Sequence, residues 1–498
     1  MSGQERTGAP AHLSADEFRA LGHRAVDWIA DYLAGVESRP VLSRLKPGDV
    51  LRALPEHAPV EGLGAQGWDR IFADLDTVIV PGLTHWQSPN FFAFFPGNAT
   101  GPGILGELLS AGMGVNGMLW ATSPAATELE TRVMDWMGEM LGLPAPFLSR
   151  GGVGGGVIQG TASESTLIAM LAARRRVAAD ADKGPLVAYA STQAHSSVIK
   201  GAMIAGVARG PDDREGVRLI DTDSSYAMRP DLLERAIRDD LAAGKRPFYV
   251  CATVGTTSST AVDPIVAIAD VLDRALGQRG AWLHVDAAHS GAACICPEHR
   301  GMLDGIDRAD SLCFNPHKWL LTNFDCDCFW TRDKASLIGA LSITPEYLRN
   351  AASDAGAVID YRDWQVALGR RFRALKLWLV IRHYGVEGLR AHIREHVRLA
   401  ALFESWVRES HRFEVVAPRT VNLVCFRLRG EAPAADAKNK RLLETINASG
   451  KAYLTHTVLR GPGGDDRVVL RMCIGATMTA ERHVKGAWDL IRHLADSV

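Results

Sequence analysis

Residues 311–319 read SLCFNPHKW, a stretch that places Lys318 between a histidine and a tryptophan directly after a short apolar run. The apolar run predicts a buried strand, and the Asn-Pro pair predicts the turn that ends it. An amine beside a large aromatic side chain in this position loses hydration, which lowers its pKa and leaves part of it neutral. Because a neutral amine can form a Schiff base, Lys318 is predicted to anchor an aldehyde cofactor covalently.

Apolar runs and helical patterns alternate ahead of this stretch, which predicts βαβ units and a mainly parallel sheet. The predicted strands cover residues 186–191, 248–254, 282–287 and 312–314, with a helix at residues 266–276. Ligands of such sheets bind beyond the carboxyl ends of the strands. The polar residues that follow the predicted strands should therefore converge on one site, and they are His195, Thr257, Asp286, His317 and Lys318.

Residues 151–163 are rich in glycine and end in Gly160-Thr161-Ala162-Ser163, ahead of a helical stretch at residues 164–174. Free backbone N–H groups at the start of a helix can bind phosphate, and small residues with hydroxyl groups suit that contact. The segment lacks the Gly-Lys-Ser/Thr of a P-loop and the Gly-x-Gly-x-x-Gly of a dinucleotide site. These residues alone allow two interpretations, a phosphate cradle and a plain flexible loop.

Two segments outside the predicted sheet carry aromatic residues that could face a ligand. Residues 85–103 are dense in them, which predicts either core packing or one wall of a pocket for a flat ring. Residues 341–360 carry Tyr347 among small and polar residues without a clear period, which predicts a mobile loop. A helical pattern then resumes at residues 364–384.

The termini predict segments distinct from the central sheet. Ser14 and Glu17 form a capping-box pattern ahead of an amphipathic helix, whose apolar face needs either a second copy of the chain or the chain's own body. Strand patterns at residues 414–416, 423–428 and 468–472, followed by a helix from residue 479, predict a small α+β domain. The expected division is an N-terminal helical and dimerisation segment at residues 1–100, a large cofactor-binding domain at 101–375 and a small C-terminal domain at 376–498.

The composition is that of an ordinary globular protein with a formal net charge of -2, which gives no reason to expect a nucleic-acid or membrane partner. No apolar run approaches the roughly 20 residues that span a bilayer, and residues 1–10 lack the apolar core of a signal peptide. Eight cysteines in 498 residues are sparse and predict reduced thiols in a cytoplasmic protein. The pairs Cys294/Cys296 and Cys326/Cys328 lack the spacing of zinc ligands, so core packing is favoured and no metal site is predicted.

Asp286 ends the apolar run Trp-Leu-His-Val-Asp, where a carboxylate is costly to bury unless it meets a cation. The protonated pyridine nitrogen of pyridoxal phosphate is such a cation, and the resulting ion pair keeps the ring an electron sink. A capping or salt-bridged aspartate is the alternative. With Lys318 downstream, the two residues together favour pyridoxal phosphate.

The segment from Ser311 through Lys318 to Asp325 resembles the lysine signature of group II pyridoxal-phosphate decarboxylases. Further motifs are similar to those of the aromatic-L-amino-acid decarboxylases: His85-Trp86, residues 91–96, 123–128 and 156–164, and Asp363-Trp364-Gln365. The resemblance extends over nearly the whole chain. It implies an α/β protein with the type I pyridoxal-phosphate fold, like aspartate aminotransferase, and a homodimer with its active sites at the interface.

Position by position, the resemblance implies a set of catalytic and cofactor-binding residues. Lys318 would hold the cofactor as an aldimine, Asp286 would pair with the pyridine nitrogen, and His195 would stack on the ring. Tyr347 would protonate the α-carbon of the quinonoid that is left after carbon dioxide departs. The implied cofactor-binding residues are Thr161, Ala162, Ser163, His195, Thr257, Asp286, Ala288, Asn315, His317 and Lys318.

The resemblance also implies decarboxylation of an aromatic L-amino acid. Its substrate-binding residues would be Trp86, Phe94, Phe95, Pro96, Gly97, Asn116, Met118, His195, Phe324 and Gly369. Gly369 stands where relatives that prefer histidine or tyrosine often have serine, and it leaves room for the wide ring of tryptophan, 5-hydroxytryptophan or DOPA. Aldehyde-forming members are altered at the loop tyrosine or the stacking histidine, so the presence of Tyr347 and His195 favours an amine product. An aldehyde synthase, an aminotransferase, a tyrosine or phenylalanine decarboxylase and a non-catalytic scaffold are the alternatives.

Five positions depart from the pattern of the animal enzymes. Phe94 stands where a tyrosine is usual, Gly97 replaces a hydroxyl residue, and His289 replaces a tyrosine near the cofactor. Asn116 and Met118 stand where the partner subunit usually offers an apolar and an aromatic residue. Loss of the phenol at Phe94 removes a polar contact that catechols could use, which slightly favours indole substrates.

Overall fold

The central element is a mixed, mainly parallel sheet. The computed structural model describes residues 12–178, 184–343, 358–431, 433–461 and 463–498. Within these residues seven strands form the sheet in the order β1-β7-β6-β5-β4-β2-β3, with only β7 running antiparallel to its neighbours. The strands are β1 (Gly155–Gln159), β2 (Leu186–Ser191), β3 (Val217–Ile220), β4 (Arg246–Thr253), β5 (Trp282–Asp286), β6 (Ser311–Phe314) and β7 (Asp327–Thr331). This arrangement is the mainly parallel sheet that the predicted type I pyridoxal-phosphate fold requires.

Helices cover both faces of this sheet, which explains why its strands are apolar throughout instead of alternating. Two separate buried cores lie on the two faces of the sheet. One core contains side chains of α5, α8 and α9, and the other contains side chains of α6 and α7. The helices are α1 (Ala15–Gly35), α2 (Asp49–Ala53), α3 (Trp68–Asp74), α4 (Gly101–Met113), α5 (Pro124–Leu141), α6 (Ala162–Arg176), α7 (Ser197–Ile204), α8 (Pro230–Ala242), α9 (Ile265–Leu276), α10 (Pro316–Trp319), α11 (Lys334–Leu341), α12 (Arg373–Glu409), α13 (Ala434–Ser449) and α14 (Glu481–Leu494).

A second, antiparallel sheet follows α12 in the order β10-β11-β9-β8. Its strands are β8 (Phe413–Val415), β9 (Leu423–Leu428), β10 (Thr455–Arg460) and β11 (Asp466–Cys473). Side chains of α12, α13 and α14 form a core with one face, whereas the other face packs on Phe95 and on residues of the large sheet's loops. The domain boundaries at residues 100 and 375 stay a prediction, and α12 runs across the second of them.

The four strands predicted ahead of Lys318 are found within two residues of their expected bounds. The glycine-rich segment is not a plain loop, since its middle forms the buried strand β1. Glycine is needed there because a Cβ atom on Gly156 would lie 2.6 Å from Met134 Cε and 2.7 Å from Trp330 Nε1. The strands β3, β7 and β10 were not predicted.

The predicted helix at residues 364–384 is wrong in its first nine residues, because α12 begins only at Arg373. Long-range contacts hold the preceding residues in an irregular conformation. The guanidinium of Arg370 donates to Glu130 Oε1 (2.7 Å), to the Ile158 carbonyl (3.0 Å) and to Gln365 Oε1 (3.0 Å). This buried network outweighs local helix propensity.

The capping box at the start of α1 is confirmed: Glu17 N donates to Ser14 Oγ (3.2 Å) and Ser14 N donates to Glu17 Oε2 (2.8 Å). None of the helices in the described ranges combines the length and apolar character that crossing a membrane requires.

Candidate active site

A cavity of about 220 Å³ lies beyond the carboxyl ends of β4, β5 and β6. All ten residues predicted to bind the cofactor line it, although they come from five separate parts of the chain. They are Thr161, Ala162, Ser163, His195, Thr257, Asp286, Ala288, Asn315, His317 and Lys318. The sheet brings them together because parallel strands present their carboxyl ends at one edge.

Lys318 lies on the one-turn helix α10, and the Lys318 backbone N–H donates to the Asn315 carbonyl (3.0 Å). Its Nζ stands 5.4 Å from the centroid of the Phe95 ring. Burial lowers the pKa of the Lys318 amine, and the Asp286 carboxylate partly offsets this effect. The effect of burial is the one predicted from the sequence, and because it outweighs that of Asp286 it favours an amine that can lose its proton and attack an aldehyde.

Asp286 ends β5 with only 3 % of its surface exposed. Its Oδ1 accepts a hydrogen bond from the Ala288 N–H (3.0 Å). A buried carboxylate needs a cation or several donors, and a protonated pyridine nitrogen in the cavity would satisfy this need. Asn315 Oδ1 is also buried, and it has no hydrogen-bond partner among the described residues. It can therefore accept a hydrogen bond from a ligand.

The start of α6 forms the wall of the cavity opposite to these groups. Thr161 is the N-cap residue of this helix, yet its side chain makes no capping hydrogen bond. The first N–H groups of a helix have no partner within it, so those of Ala162 and Ser163 can bind a phosphate together with the free hydroxyl. The residues of the cavity thus fit the ring nitrogen, the aldehyde and the phosphate of pyridoxal phosphate.

Two histidines in the cavity are held as neutral rings. His195 Nδ1 accepts from the Ser197 N–H (3.1 Å), and burial lowers the pKa of this imidazole. His317 Nδ1 lies within hydrogen-bond distance of both the carbonyl (2.8 Å) and the N–H (3.0 Å) of Cys326, and burial lowers the pKa of this imidazole to about 3. A neutral ring can stack on a cofactor without bringing a positive charge into the cavity, which suits the predicted stacking role of His195.

Buried histidines predict an acid-sensitive fold. Burial lowers the pKa of His284 to about 4, of His289 to about 3 and of His396 to about 4. Their stabilising contribution is therefore complete above the unfolded pKa of about 6.5 and is lost as pH falls towards 4, because only the unfolded state takes up protons in that window. Each should cost about 1 kcal/mol of unfolding free energy at pH 5.5.

Urea denaturation of the wild type at pH 7.5 and pH 5.5 tests this expectation, with His396→Gln as the comparison. The variant should lose less stability between the two pH values than the wild type does. Equal stability of the wild type at both values would contradict the buried neutral histidines.

A larger cavity of about 640 Å³ adjoins the first and shares His195, Thr257, His317 and Lys318 with it. Seven of the ten predicted substrate-binding residues line it: Trp86, Phe94, Phe95, Pro96, Gly97, His195 and Phe324. The rings of Trp86 and Phe94 are nearly parallel, at 14° and with centroids 5.8 Å apart. The aromatic segment is thus a pocket wall at these positions, whereas Phe91 and Phe92 belong to the core.

Asn116, Met118 and Gly369 do not line either cavity of the single chain, contrary to a simple reading of the predicted substrate site. These three residues lie together elsewhere, because hydrogen bonds join the segment at residues 116–118 to the segment at residues 362–370. Asn116 Oδ1 accepts from the Arg370 N–H (2.9 Å), and the Met118 carbonyl accepts from the Arg362 N–H (3.1 Å). Tyr347 lies outside the described residues.

Arg471 is a residue of the larger cavity that the sequence did not single out. Its guanidinium donates to the carbonyls of Thr257 (2.8 Å) and Ser258 (3.0 Å) and to Thr455 Oγ1 (3.0 Å). It thereby joins the second sheet to the loop after β4. The signal was a lone arginine within the apolar run of β11, a position that calls for a buried partner.

The cysteine pairs take no part in these cavities. Cys294, Cys296, Cys326 and Cys328 are all buried in the core of one sheet face. The described residues contain no group of three or more histidine, cysteine, aspartate or glutamate side chains placed to hold a metal ion.

Comparison with known proteins agrees with the geometry of the cavity. Residues 47–429 match the family model described as the pyridoxal-dependent decarboxylase conserved domain. Phenylacetaldehyde synthase of Arabidopsis thaliana is 48% identical over 491 residues, which cover 97% of this chain and 96% of that protein. Tyrosine decarboxylase 2 of Narcissus pseudonarcissus is 47% identical, with coverage of 97% and 95%.

Among solved structures, that of Oryza sativa TDC with PLP and tryptamine matches with a TM-score of 0.92 and 46% identity, covering 98% of this chain and 99% of that chain. These similar proteins include amine-forming and aldehyde-forming enzymes. The chain belongs to the pyridoxal-dependent decarboxylases, in the family of aromatic amino acid decarboxylases and aldehyde synthases, and its cofactor is pyridoxal phosphate.

Proposed function

We propose that this enzyme converts an aromatic L-amino acid to the corresponding amine and carbon dioxide, with tryptophan and 5-hydroxytryptophan favoured over DOPA. The observation that carries the amine product is the joint presence of His195 in the cofactor cavity and Tyr347 in the sequence. Aldehyde formation is the alternative, since one of the similar proteins is named a phenylacetaldehyde synthase.

We also propose a cytoplasmic location, supported by eight buried cysteines without a disulfide.

The residues of the smaller cavity have distinct tasks in this reaction. Pyridoxal phosphate, when bound, supplies an electron sink for the electron pair of the bond that loses carbon dioxide. Lys318 would hold it covalently, and Thr161, Ala162 and Ser163 would hold its phosphate. Asp286 would stabilise a proton on the pyridine nitrogen, because a buried carboxylate favours an adjacent positive charge.

The larger cavity orients the substrate. Its volume of about 640 Å³ and its aromatic wall suit a wide, flat ring. A Cβ atom at Gly97 would make van der Waals contact with Trp86 Cε3 (3.4 Å), so the glycine leaves that space open. Phe94 offers no hydroxyl to a catechol, which supports the preference for indoles.

The substrate preference can be measured with tryptophan, 5-hydroxytryptophan, DOPA, tyrosine and phenylalanine under identical conditions. We expect the highest kcat/KM for amine formation with the two indoles, by about 10-fold over tyrosine, which corresponds to about 1.4 kcal/mol of differential binding. A preference for tyrosine or phenylalanine would refute the assignment of Phe94 and Gly369 to an indole pocket.

Tyr347 is proposed as the acid that protonates the α-carbon. Tyr347→Phe removes only the hydroxyl, so cofactor binding and release of carbon dioxide should persist while amine yield falls by about 100-fold, in the range of a lost general acid. Parallel measurement of carbon dioxide and amine tests this separation. Tyr361→Phe is a matched control, because Tyr361 is buried and its hydroxyl lies 2.9 Å from Thr131 Oγ1, outside both cavities. An unchanged amine yield in Tyr347→Phe would remove the residue from this role.

We further propose that the enzyme is a homodimer in which Asn116, Met118 and Gly369 reach the partner's substrate cavity. Large exposed apolar side chains on α4 support a subunit contact, because such a patch is rare on a monomer. They are Leu105, Leu108, Leu109 and Met113, each about half exposed. Val366 and Leu368, beside Gly369, are also exposed.

Mixed dimers test the shared site. Gly369→Trp should fold normally, because a Cβ atom there meets only Asn116 Nδ2, at 3.8 Å. Homodimers of Gly369→Trp or of Lys318→Ala should have little activity. A hybrid of the two variants should regain about half of the wild-type activity, since one of its two sites has both an intact lysine and an intact glycine. A hybrid with no more activity than the separate homodimers would contradict the shared site.

A further inference from the structure

His289 occupies a rigid position on the wall of the cofactor cavity. It is 1 % exposed and follows Asp286 by three residues. One face of its ring stacks on Phe95 at a centroid distance of 3.9 Å and an angle of 11°, and it also stacks on Trp319 at 5.1 Å and 14°. The ring therefore cannot turn without disrupting both aromatic contacts.

A hydrogen bond determines which nitrogen of His289 carries the proton. His289 Nε2 lies 2.7 Å from Asn422 Oδ1. The amide of Asn422 is itself oriented, because its Nδ2 donates to the Ile474 carbonyl (3.0 Å). Asn422 thus presents its oxygen to the ring, and Nε2 must donate. Nδ1 is left as an acceptor with a lone pair.

Nδ1 of His289 is buried and has no hydrogen-bond partner among the described residues. Burial lowers the pKa of this imidazole to about 3, and the positive charges of Lys318 and Arg471 act in the same direction. The ring therefore stays neutral, so its lone pair is a permanent acceptor. A buried acceptor without a donor is costly. A donor group that reaches Nδ1 at one stage of the reaction would remove this cost at that stage.

Among the described residues that line the same cavity, Lys318 is the one that can carry an ammonium group. The other side of Asn422 contacts the Cys473 thiol, at 3.7 Å from Nδ2, and this thiol also influences the amine of Lys318. Lys318 Nζ lies 5.4 Å from the centroid of the Phe95 ring on which His289 stacks, so the amine and the imidazole border the same aromatic side chain. Thr253 has a free hydroxyl in the cavity, but its short side chain is fixed on β4. A lysine has four rotatable side-chain bonds and can move to the acceptor.

We propose that His289 Nδ1 is a positioning group that accepts a hydrogen bond from the Lys318 amine when the amine is released from the cofactor. Asn422 acts one step further away by keeping the proton on Nε2. The released lysine is then held beside the cavity instead of moving away, ready to rebind the cofactor as the product leaves. This inference rests on the proposed role of Lys318.

The test measures the protonation of Lys318 in the apoenzyme. The apoenzyme is mixed with pyridoxal 5′-phosphate at a series of pH values and quenched with borohydride, and the reduced adduct on Lys318 is quantified by peptide mass spectrometry. The pH dependence of the capture rate gives the pKa of the amine. Because the acceptor stabilises the ammonium form, His289→Phe should lower this pKa by about one unit while keeping an aromatic ring in the stack.

His289→Asn is the matched rescue, since the Asn Oδ1 stands near the position of Nδ1, and it should restore most of the wild-type pKa. Asn422→Ala keeps the histidine and frees its tautomer, so it should shift the pKa in the same direction by a smaller amount. The wild-type pKa in both His289→Phe and Asn422→Ala would overturn the inference, as would a shift in His289→Asn equal to that in His289→Phe. Failure of the wild type to form any adduct on Lys318 would instead refute the proposed function.

Discussion

Lys318→Ala should lower the rate of decarboxylation by at least about 1,000-fold, because the covalent link to the cofactor needs an amine. Among the described residues that line the two cavities, no lysine other than Lys318 is present. The cofactor should still bind through its phosphate and its ring nitrogen, so the variant should be coloured in excess cofactor. Borohydride should leave the polypeptide of this variant unlabelled.

Lys318→Arg separates covalent chemistry from charge, since a guanidinium keeps the positive charge but cannot form the link. It should be as inactive as Lys318→Ala. Lys451→Ala, on the exposed side of the C-terminal part, is the surface control and should retain wild-type activity. A Lys318→Arg enzyme with more than about a tenth of the wild-type rate would show that charge, and not the covalent link, is the contribution of this residue.

Asp286→Asn should reduce kcat by about 100-fold or more, because an amide cannot hold the proton on the pyridine nitrogen as a carboxylate does. The substitution preserves shape and the acceptor for the Ala288 N–H, so the fold should survive. Cofactor affinity should also fall, since the ion pair with the ring is lost. Steady-state kinetics and a cofactor titration measure the two effects separately.

Asp263→Asn is a matched control for the loss of a buried carboxylate. Asp263 is 1 % exposed, accepts from the Met228 N–H (2.7 Å) and the Thr253 N–H (2.8 Å), and does not line the cofactor cavity. Its replacement should lower stability with a much smaller effect on kcat. Equal losses of kcat in both variants would show that Asp286 acts through the fold instead of through the ring nitrogen.

The central sheet and the cofactor cavity could be predicted because the signals are local and physically constrained. Strands buried on both faces must be apolar along their whole length, so residues 186–191 and 282–286 stand out in the sequence. Lys318 and Asp286 then stand out as charged residues at the ends of such strands. The shared edge of the sheet converts these separate signals into one site.

The features that were missed depend on contacts between distant parts of the chain. β1 is rich in glycine, which disfavours strands in isolation, and it forms because large side chains leave no space for a Cβ atom. The irregular segment before α12 follows from the buried pairing of Arg370 with Glu130, 240 positions apart in the sequence. Arg471 and the His289–Asn422 pair likewise join segments that no short motif connects.

The ratio of amine to carbon dioxide decides most directly whether this enzyme is an amine-forming decarboxylase. The holoenzyme is supplied with L-tryptophan in air-saturated buffer, and carbon dioxide, tryptamine, hydrogen peroxide and ammonia are measured in the same reaction. We predict one tryptamine for each carbon dioxide, with neither peroxide nor ammonia above the level of an enzyme-free control. Carbon dioxide accompanied by equal amounts of peroxide and ammonia, with little tryptamine, would contradict the claim and identify an aldehyde synthase.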